Sequence, residues 1–302
     1  MGKKKRLINR ILSVVLSLAL VFTGVSFQGM AVQAEEAAPD AEGLDVPQAE
    51  EADAPEAGEP KAQAEDGLIL HYDFDQGDNS EATIVMDKTG NTAHSAEVVK
   101  AEGAVAGTYA WGKENVLGKT MNTLELNTKN EDYGPYLKLP DDIFNGCDSA
   151  TISIWAQLKP GANDAFHSLW NFQSDENKYF FLWADGWDGW GSMAIISKEG
   201  WNANQSVTKG RPMDKGRWLL LTVVMDGTKM TYYENGKAIG STNTGVSLSD
   251  LGHTTMNYIG NTYSTYDGTT TGKFADFRIY NRAMSAEEVS GMYSPSDDEI
   301  IS

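Results

Sequence analysis

The segment from residue 181 to residue 193, FLWADGWDGWGSM, alternates tryptophans with aspartates and glycines. A second segment, residues 261–272, places two tyrosines among Gly, Thr and Ser. A flat aromatic ring can stack on the C–H face of a sugar while Asp and Asn bond its hydroxyls, so each contact compensates for the desolvation of the other. These residue types therefore predict a surface that binds carbohydrate. The candidate ligand-binding residues are Trp183, Trp187, Trp190, Trp201, Asp185, Asp188, Tyr263 and Tyr266.

Packing in a core is the alternative explanation for these aromatic residues. Trp155 and Trp218 lie inside apolar runs, and for them we expect core packing. Trp183 closes the apolar run YFFLW, so core packing and ligand contact both stay open for it. Trp187 and Trp190 have small, flexible neighbours and no apolar run around them, which favours exposure. Both interpretations also stay open for three further residues: Trp201, Tyr263 and Tyr266.

The first 34 residues have the organisation of a secretory signal peptide. Five basic residues between positions 3 and 10 precede an apolar run, residues 11–27, and the chain then reads Ala-Val-Gln-Ala at 31–34. A retained membrane anchor is the alternative, because the run is only slightly shorter than the roughly 20 residues that span a bilayer. The small side chains of Val32 and Ala34 favour cleavage. We expect a secreted, extracellular protein that is not inserted in a membrane after cleavage.

An acidic linker, residues 35–66, comes after the signal. It holds twelve carboxylates, one lysine and no aromatic residue, a composition that cannot bury enough apolar surface to fold. It is either a spacer or a solubilising segment. Removing the signal takes away five basic and no acidic residues, which changes the net charge from −19 to −24. Such a charge argues against binding nucleic acid, and the single cysteine, Cys147, excludes an internal disulfide.

Residues 67–295 are predicted to form one β domain, with an acidic tail after it at 296–302. The segment 151–159, TISIWAQLK, alternates apolar and polar residues as a half-buried strand does. Asp226-Gly227 and Asn235-Gly236 each separate two apolar runs and predict tight turns between antiparallel strands, at 218–225, 229–233 and 237–240. Further strands are predicted at 68–74, 136–139, 179–183, 193–197, 257–260 and 274–280.

Many short strands and little helix predict an all-β, two-sheet antiparallel sandwich. One short helix is predicted at 286–292. Ser285 is its expected N-cap, and Glu288 lies three residues further on, which is the pattern of a capping box.

Three segments carry a resemblance to a known family. They are LHYDFDQGD and, after it, MDKTGNTAHSA, then GRWLLLTVVMDGTKMTYYENGKAIGS, then GKFADFRIYNRAMSAEEV. In this order they resemble the laminin-G-like jelly rolls of the concanavalin A-like lectin and glucanase superfamily, over about residues 68–293. The resemblance implies that the first and last strands pair.

The resemblance also implies one structural Ca²⁺ near this strand pair, held by hard oxygen ligands. The matching positions are Asp75, Asp87, Asn91 and Asp276. The family often has two consecutive acidic residues in the closing strand, whereas here Ala275 precedes Asp276. A structural alternative stays open, in which Asp87 bonds the backbone of its own turn and Asp276 pairs with Arg278.

Some members of the superfamily are glycosidases with a Glu-x-Asp-x-x-Glu pattern on one strand, which brings two carboxyl groups about 5 Å apart. None of the predicted strands carries this pattern. We therefore expect a non-catalytic, lectin-like module, stabilised by calcium, that binds a polysaccharide or the glycan of a glycoconjugate and is retained at the cell surface by that binding. A protein-binding adhesion module and a glycoside hydrolase of the same superfamily are the alternatives, and the oligomeric state stays open.

Overall fold

The computed structural model describes residues 66–100, 107–128, 134–161, 167–186, 190–263 and 268–293. The chain divides into two units, residues 1–63 and 64–302, and the described residues all belong to the second. The predicted signal peptide, nearly all of the linker and the acidic tail lie outside the described residues. The candidate site residues Trp187, Asp188 and Tyr266 also lie outside them.

The described residues form two antiparallel sheets of eight strands each, numbered here along the chain. Sheet 1 contains β1 (Leu68–Tyr72), β4 (Thr108–Val116), β5 (Lys119–Asn127), β7 (Ser149–Leu158), β12 (Leu219–Asp226), β13 (Lys229–Glu234), β14 (Lys237–Asn243) and β16 (Gly272–Tyr280). Sheet 2 contains β2 (Ile84–Val85), β3 (Ala96–Val99), β6 (Tyr136–Lys138), β8 (Ser168–Gln173), β9 (Tyr179–Trp183), β10 (Met193–Ser197), β11 (Gln205–Thr208) and β15 (Tyr258–Ile259).

The strand order in sheet 1 is β14-β13-β12-β7-β16-β5-β4, with β1 also paired to β16. In sheet 2 the order is β11-β10-β9-β8-β15-β6-β3-β2. The α-helix in the described part of the chain, α1 (Ala286–Met292), and three short 3₁₀ helices complete the secondary structure. The predicted two-sheet jelly roll with a short C-terminal helix is confirmed. Among the described residues, no helix is both long and apolar enough to cross a membrane.

The core lies between the two sheets and results from strand alternation. In β7, Ile152, Ile154 and Leu158 belong to the central cluster of buried side chains. Trp155, which points to the opposite face, belongs to a separate cluster on the outer face of sheet 1 together with Trp218. The prediction that these two tryptophans are buried is confirmed, but they pack outside the central core.

Local signals explain several of the observed ends and turns. The predicted capping box is present, because the Ser285 side chain accepts from Glu288 N–H and the Glu288 carboxylate accepts from Ser285 N–H. The first strand ends at Tyr72, earlier than predicted, because Phe74 has a φ of 56° and cannot continue a strand.

A long hairpin of β4 and β5 was not predicted. Its turn is Leu117-Gly118, with φ values of 49° and 82°. Leucine rarely adopts positive φ, so this turn lacks the Asn-Gly or Asp-Gly signature. The Asn115 side chain accepts a hydrogen bond from Gly118 N–H at 2.7 Å, which helps to hold the turn. Four more strands, β2, β3, β8 and β11, also have no strong turn dipeptide beside them.

Candidate carbohydrate-binding site

Strand β9 presents three aromatic rings on the outer face of sheet 2. Phe180 and Leu182 belong to the central core, so the alternating residues Tyr179, Phe181 and Trp183 point the other way. They pack with the β10 side chains that point to the same face. The apolar run YFFLW therefore contributes side chains to both faces of the sheet.

Two tryptophans from the loops after β9 and β10 extend this row of rings. Trp201 lies 5.4 Å from Trp183 between ring centroids, and Trp190 lies 6.0 Å from Trp201. Within β9, Phe181 is 5.2 Å from Tyr179 and 5.0 Å from Trp183. We call these five residues, Tyr179, Phe181, Trp183, Trp201 and Trp190, the aromatic column.

Exposure differs along the aromatic column. Tyr179, Phe181 and Trp183 expose only 5–6% of their surface, whereas Trp190 and Trp201 are half-buried. Burial raises the pKa of Tyr179 to about 12. Trp183 lies inside the column against Trp201, so any ligand at this surface meets the last two rings first. Ligand binding by the candidate residues stays a prediction.

Hydrogen bonds hold the described residues at the two ends of the loop that carries Trp190. Gly186 N–H donates to Gly191 O at 2.9 Å, and Ser192 N–H donates to Arg211 O at 2.9 Å. Gly191 has a φ of 69°, and a Cβ there would come within 2.2 Å of the Arg211 backbone, so only glycine fits. The Trp190 carbonyl in turn accepts from the Thr208 hydroxyl. The described residues 186 and 190–192 are therefore bonded to one another and to the segment that contains Thr208 and Arg211.

A 3₁₀ helix, residues 201–203, positions Trp201. It begins after Gly200, which has a φ of 84° and whose N–H donates to Asn177 O at 2.9 Å. The Ser197 hydroxyl donates to Gly200 O at 2.8 Å, and Asn204 Nδ2 donates to Trp201 O at 2.8 Å. The backbone before this ring is thus bonded to the end of β10 and to the turn between β8 and β9, while the bond after it lies within the loop itself.

The remaining candidate residues are spread more widely. Asp185 is half-buried in the Trp190 loop. Tyr263 is 49% exposed and comes after β15, which is separated from β9 by β8. Among the described residues, Tyr263 has no ring contact with the aromatic column. The sequence analysis missed Tyr179 and Phe181, although their spacing of two from Trp183 was a usable signal.

The candidate calcium ligand Asp87 is buried and bonded to protein donors. Its Oδ1 accepts from the backbone N–H groups of His71 at 2.9 Å and Thr89 at 3.0 Å. Its Oδ2 accepts the Thr89 hydroxyl at 2.6 Å. The alternative that Asp87 bonds the backbone of its own turn is therefore confirmed.

Asn91 and Asp75 also bond the backbone two residues further on. Asn91 Oδ1 accepts from Ala93 N–H at 3.1 Å and caps the 3₁₀ helix at 92–94. Asp75 Oδ1 accepts from Gly77 N–H at 3.0 Å. Both residues are exposed.

Asp276 joins the first and last strands of the domain. Its Oδ1 bonds His71 Nε2 at 2.7 Å and accepts from Arg278 Nε at 2.8 Å. Burial acts to raise the pKa of this carboxyl, but the hydrogen bond from His71 and the charge and hydrogen bond of Arg278 outweigh it and hold the pKa below its usual range. The expected pairing of β1 with β16 is confirmed, and so is the Asp276–Arg278 pair.

These contacts indicate whether the candidate residues could hold a calcium ion. The described residues contain no group of three or more His, Cys, Asp or Glu side chains placed to hold a metal ion. Asp75, Asp87 and Asp276 accordingly do not form a shared oxygen site as they are placed, and N–H and O–H donors already bond their carboxylates. This arrangement does not fit calcium, and calcium binding stays an untested prediction.

A family model assigns this β-sandwich to a superfamily. Residues 131–290 match the model of a concanavalin A-like lectin/glucanases superfamily family. The match covers more than half of the chain, so the chain belongs to this superfamily.

Two known proteins are similar to this chain. An alpha-L-arabinofuranosidase of Bifidobacterium longum subsp. longum is 25% identical over 236 residues, which cover 73% of this chain and 20% of that enzyme. The chain thus spans about a fifth of the length of this relative. Domain 4 of AbnA, a GH43 extracellular arabinanase from Geobacillus stearothermophilus solved in complex with arabinotriose, superposes with a TM-score of 0.59 at 21% identity. That match covers 75% of this chain and 98% of the domain. The chain therefore has a fold that occurs in carbohydrate-active proteins.

Proposed function

We propose that this chain is a secreted, non-catalytic carbohydrate-binding module whose ligand contacts Trp190 and Trp201. The observation that carries this proposal is the position of these two rings, half-buried at the surface end of an otherwise buried aromatic column. A tryptophan packed only for stability is normally covered on all sides, as Trp183 is at 5% exposure.

The surroundings of the two rings supply the polar part of a sugar site. Asn202 is exposed beside Trp201, and Asp185 lies in the loop of Trp190. Amide and carboxylate groups bond sugar hydroxyls, while the indole faces cover the apolar C–H groups of the ring. The described residues beside the two rings already form hydrogen bonds, which lowers the entropy lost on binding.

The similar proteins suggest which ligands to try first. One is named as an arabinofuranosidase, and the other is an arabinanase domain solved with arabinotriose. Soluble arabino-oligosaccharides are therefore the first choice, with xylan, β-glucan and host glycans as the wider panel. We further propose that the signal-like residues 1–34 direct export and that ligand binding holds the protein at its site of action.

The test is calorimetry of the mature protein and its variants against this panel. We expect Trp190→Ala and Trp201→Ala to weaken binding by about tenfold or more, since each removes a stacking face. Tyr109→Ala, an aromatic change on β4 of sheet 1, is the matched control and should leave the affinity unchanged. Circular dichroism verifies that each variant is folded.

Three results would contradict the proposal in different ways. Absence of binding across the whole panel would exclude a carbohydrate-binding module. Binding that survives both tryptophan changes would place the ligand elsewhere on the domain. Release of reducing sugar from any polysaccharide would make the protein a hydrolase instead.

A further inference from the structure

A cavity of about 300 Å³ lies between two loops. The first loop, residues 139–148, joins β6 to β7, and the second, residues 244–257, joins β14 to β15. Both loops lie wholly within the described ranges 134–161 and 190–263. The volume is at the lower end of the range for small-molecule sites, so the cavity suits a ligand of about the size of one sugar ring.

The lining of this cavity combines apolar and polar side chains, as small-molecule sites usually do. Phe144 and Leu248 are 5% and 2% exposed, belong to the central core and supply the apolar part. The polar part consists of the side chains of Asp142, Asn145, Ser249 and His253. This mixture suits a ligand that carries both C–H groups and hydroxyl groups.

Two backbone contacts join the loops at the cavity. Asp142 N–H donates to Thr254 O at 2.9 Å, and Asp142 Oδ1 accepts from Thr254 N–H at 2.9 Å. Asp142 has a φ of 55°, which a residue other than glycine keeps only where the surrounding contacts hold it. The carboxylate of Asp142 is therefore fixed in place by the fold.

This carboxylate determines which nitrogen of His253 carries the proton. His253 Nδ1 bonds Asp142 Oδ2, and an ionised carboxylate only accepts hydrogen bonds, so Nδ1 is the donor. In the neutral imidazole Nε2 is then an acceptor. The His253 side chain is 71% exposed, and within the described part of the chain its Nε2 has no hydrogen-bond partner. The pair thus presents one oriented acceptor at the cavity.

The charges and donors at the cavity favour a neutral, hydroxylated ligand. An anion would meet the negative charge of Asp142. A metal ion would need further ligands, and the described residues contain no group of three His, Cys, Asp or Glu side chains placed to hold one. A hydroxyl group, by contrast, donates to His253 Nε2, while the side chains of Asn145 and Ser249 both donate and accept.

We propose that this cavity is a second ligand site, which takes one ring of a neutral sugar with a hydroxyl group of the sugar donating to His253 Nε2. Its lining belongs to the two loops and includes no residue of the aromatic column. The proposal therefore goes beyond the proposed function and does not depend on Trp190 or Trp201.

Nuclear magnetic resonance of the mature protein tests the proposal. The probes are L-arabinose, D-xylose, D-galactose and D-glucose, and the signals are the His253 imidazole nitrogens and the backbone amides of Asn145, Gly146 and Gly252. We expect the free protein to show the Nδ1-protonated imidazole, and at least one sugar to shift the Nε2 signal and these amides in a saturable manner. If none of the four sugars moves these signals, the proposal is wrong.

The double variant Trp190→Ala/Trp201→Ala separates this site from the aromatic column. The sugar should shift the loop signals in this variant as it does in the wild type. Loss of the shifts would show that the cavity is not an independent site and would overturn the proposal. Shifts that persist while polysaccharide binding is absent from the wild type would contradict the proposed function alone.

Three substitutions test the Asp142–His253 pair. His253→Ala should weaken sugar binding by about fivefold or more, because it removes the acceptor. Asp142→Asn should have a similar effect, because an amide N–H donates to Nδ1 and moves the imidazole proton to Nε2, and asparagine tolerates positive φ.

Asp141→Asn is the matched control, since it removes the same charge one position earlier from an exposed side chain that is bonded to Lys138. It should change the affinity by less than about twofold. An equal loss in this control would assign the effect to net charge and overturn the role of the pair. Circular dichroism verifies folding, and His253→Ala, at an exposed side chain, keeps the test valid if Asp142→Asn does not fold.

Discussion

The outer faces of the two sheets both carry tryptophan but use it differently. On sheet 1, Trp155 is 4% exposed, and Tyr293, the residue directly after α1, stacks on it with ring centroids 5.9 Å apart. On sheet 2, the aromatic column continues past the buried Trp183 and ends in the half-buried Trp190 and Trp201. The same residue type is thus covered on one face and half-buried on the other.

The two faces differ in the segments that cover them. Sheet 1 is covered in part by α1, whose Val289 is fully buried and packs beside Val224 and Tyr233. The described loops over the column end of sheet 2 contribute a three-residue 3₁₀ helix whose own tryptophan is half-exposed. The position of a tryptophan within its stack, and not its type, separates a covered residue from a half-buried one.

The largest effect on stability is expected from Trp155→Ala. Removing a buried indole costs about 3–5 kcal/mol of unfolding free energy. The affinity of the folded protein for its glycan should not change, because Trp155 is on the opposite sheet. Urea unfolding and calorimetry measure the two quantities. A loss of under about 1 kcal/mol, or a loss of affinity in the folded variant, would contradict the division between the two faces.

A smaller effect is expected from Asp276→Asn, which removes a charge bonded to His71 and Arg278. Charge-assisted hydrogen bonds contribute about 1.5–3 kcal/mol, and asparagine tolerates the positive φ of this position. The folded-state pKa of Asp276 is lowered, so its stabilisation is fully present above the unfolded-state pKa of about 3.9 and is lost as the pH falls through the folded-state pKa. Unfolding at pH 7 and pH 3 should show a difference in unfolding free energy between wild type and variant. This difference should be smaller at pH 3. An equal difference at both pH values would show that the charge of Asp276 does not cause the loss of stability.

Ser285→Ala should cost about 1 kcal/mol, the usual value for a lost helix N-cap. Ser290→Ala is the matched control, since it is exposed in the same helix and its backbone is retained. Thermal unfolding measures both variants. If the Ser285 variant also lost glycan affinity, α1 would contribute to ligand binding, and the two sheet faces would not have separate roles.

The placement of the described side chains predicts no change in thermal stability on adding calcium, which is the opposite of the expectation from the sequence. An ion at a hundred times its Kd would stabilise the fold by about 2.7 kcal/mol, which for a domain of this size raises Tm by roughly 5–10 °C. The carboxylates of Asp75, Asp87 and Asp276 are bonded to protein donors instead. Scanning calorimetry with a chelator and then with excess calcium checks this. A rise of that size would show that these side chains rearrange around an ion.

Much of the fold could be predicted because its signals are local. The alternation in β7, the Asn235-Gly236 turn and the Ser285–Glu288 capping box each depend on residues within a few positions. The turn predicted at Asp226-Gly227 lies one residue later, at Gly227-Thr228, because Asp226 still pairs with Lys229. The β4–β5 hairpin escaped prediction because its turn uses Leu117 at positive φ, stabilised by a side chain two residues before it. Local rules fail where a neighbouring contact overrides a residue's own preference.

The candidate site could be predicted only in part. Residue types singled out Trp183, Trp190 and Trp201, but their order in the aromatic column depends on how two loops return to β9. Spacing in sequence gives no distance across such loops. The four candidate calcium ligands show the same limit, because a family resemblance assigns oxygen donors to positions and cannot tell which of them already have partners.

The pairing of β1 with β16 has a mechanical consequence. Leu68 lies opposite Tyr280, so the first strand begins and the last strand ends at the same end of this strand pair. Tension applied between these two points breaks the hydrogen bonds of the strand pair one after another. It does not act on all of them at the same time. A domain connected in this way resists little force along its own chain, yet it can be inserted into a longer protein without changing the spacing of its neighbours.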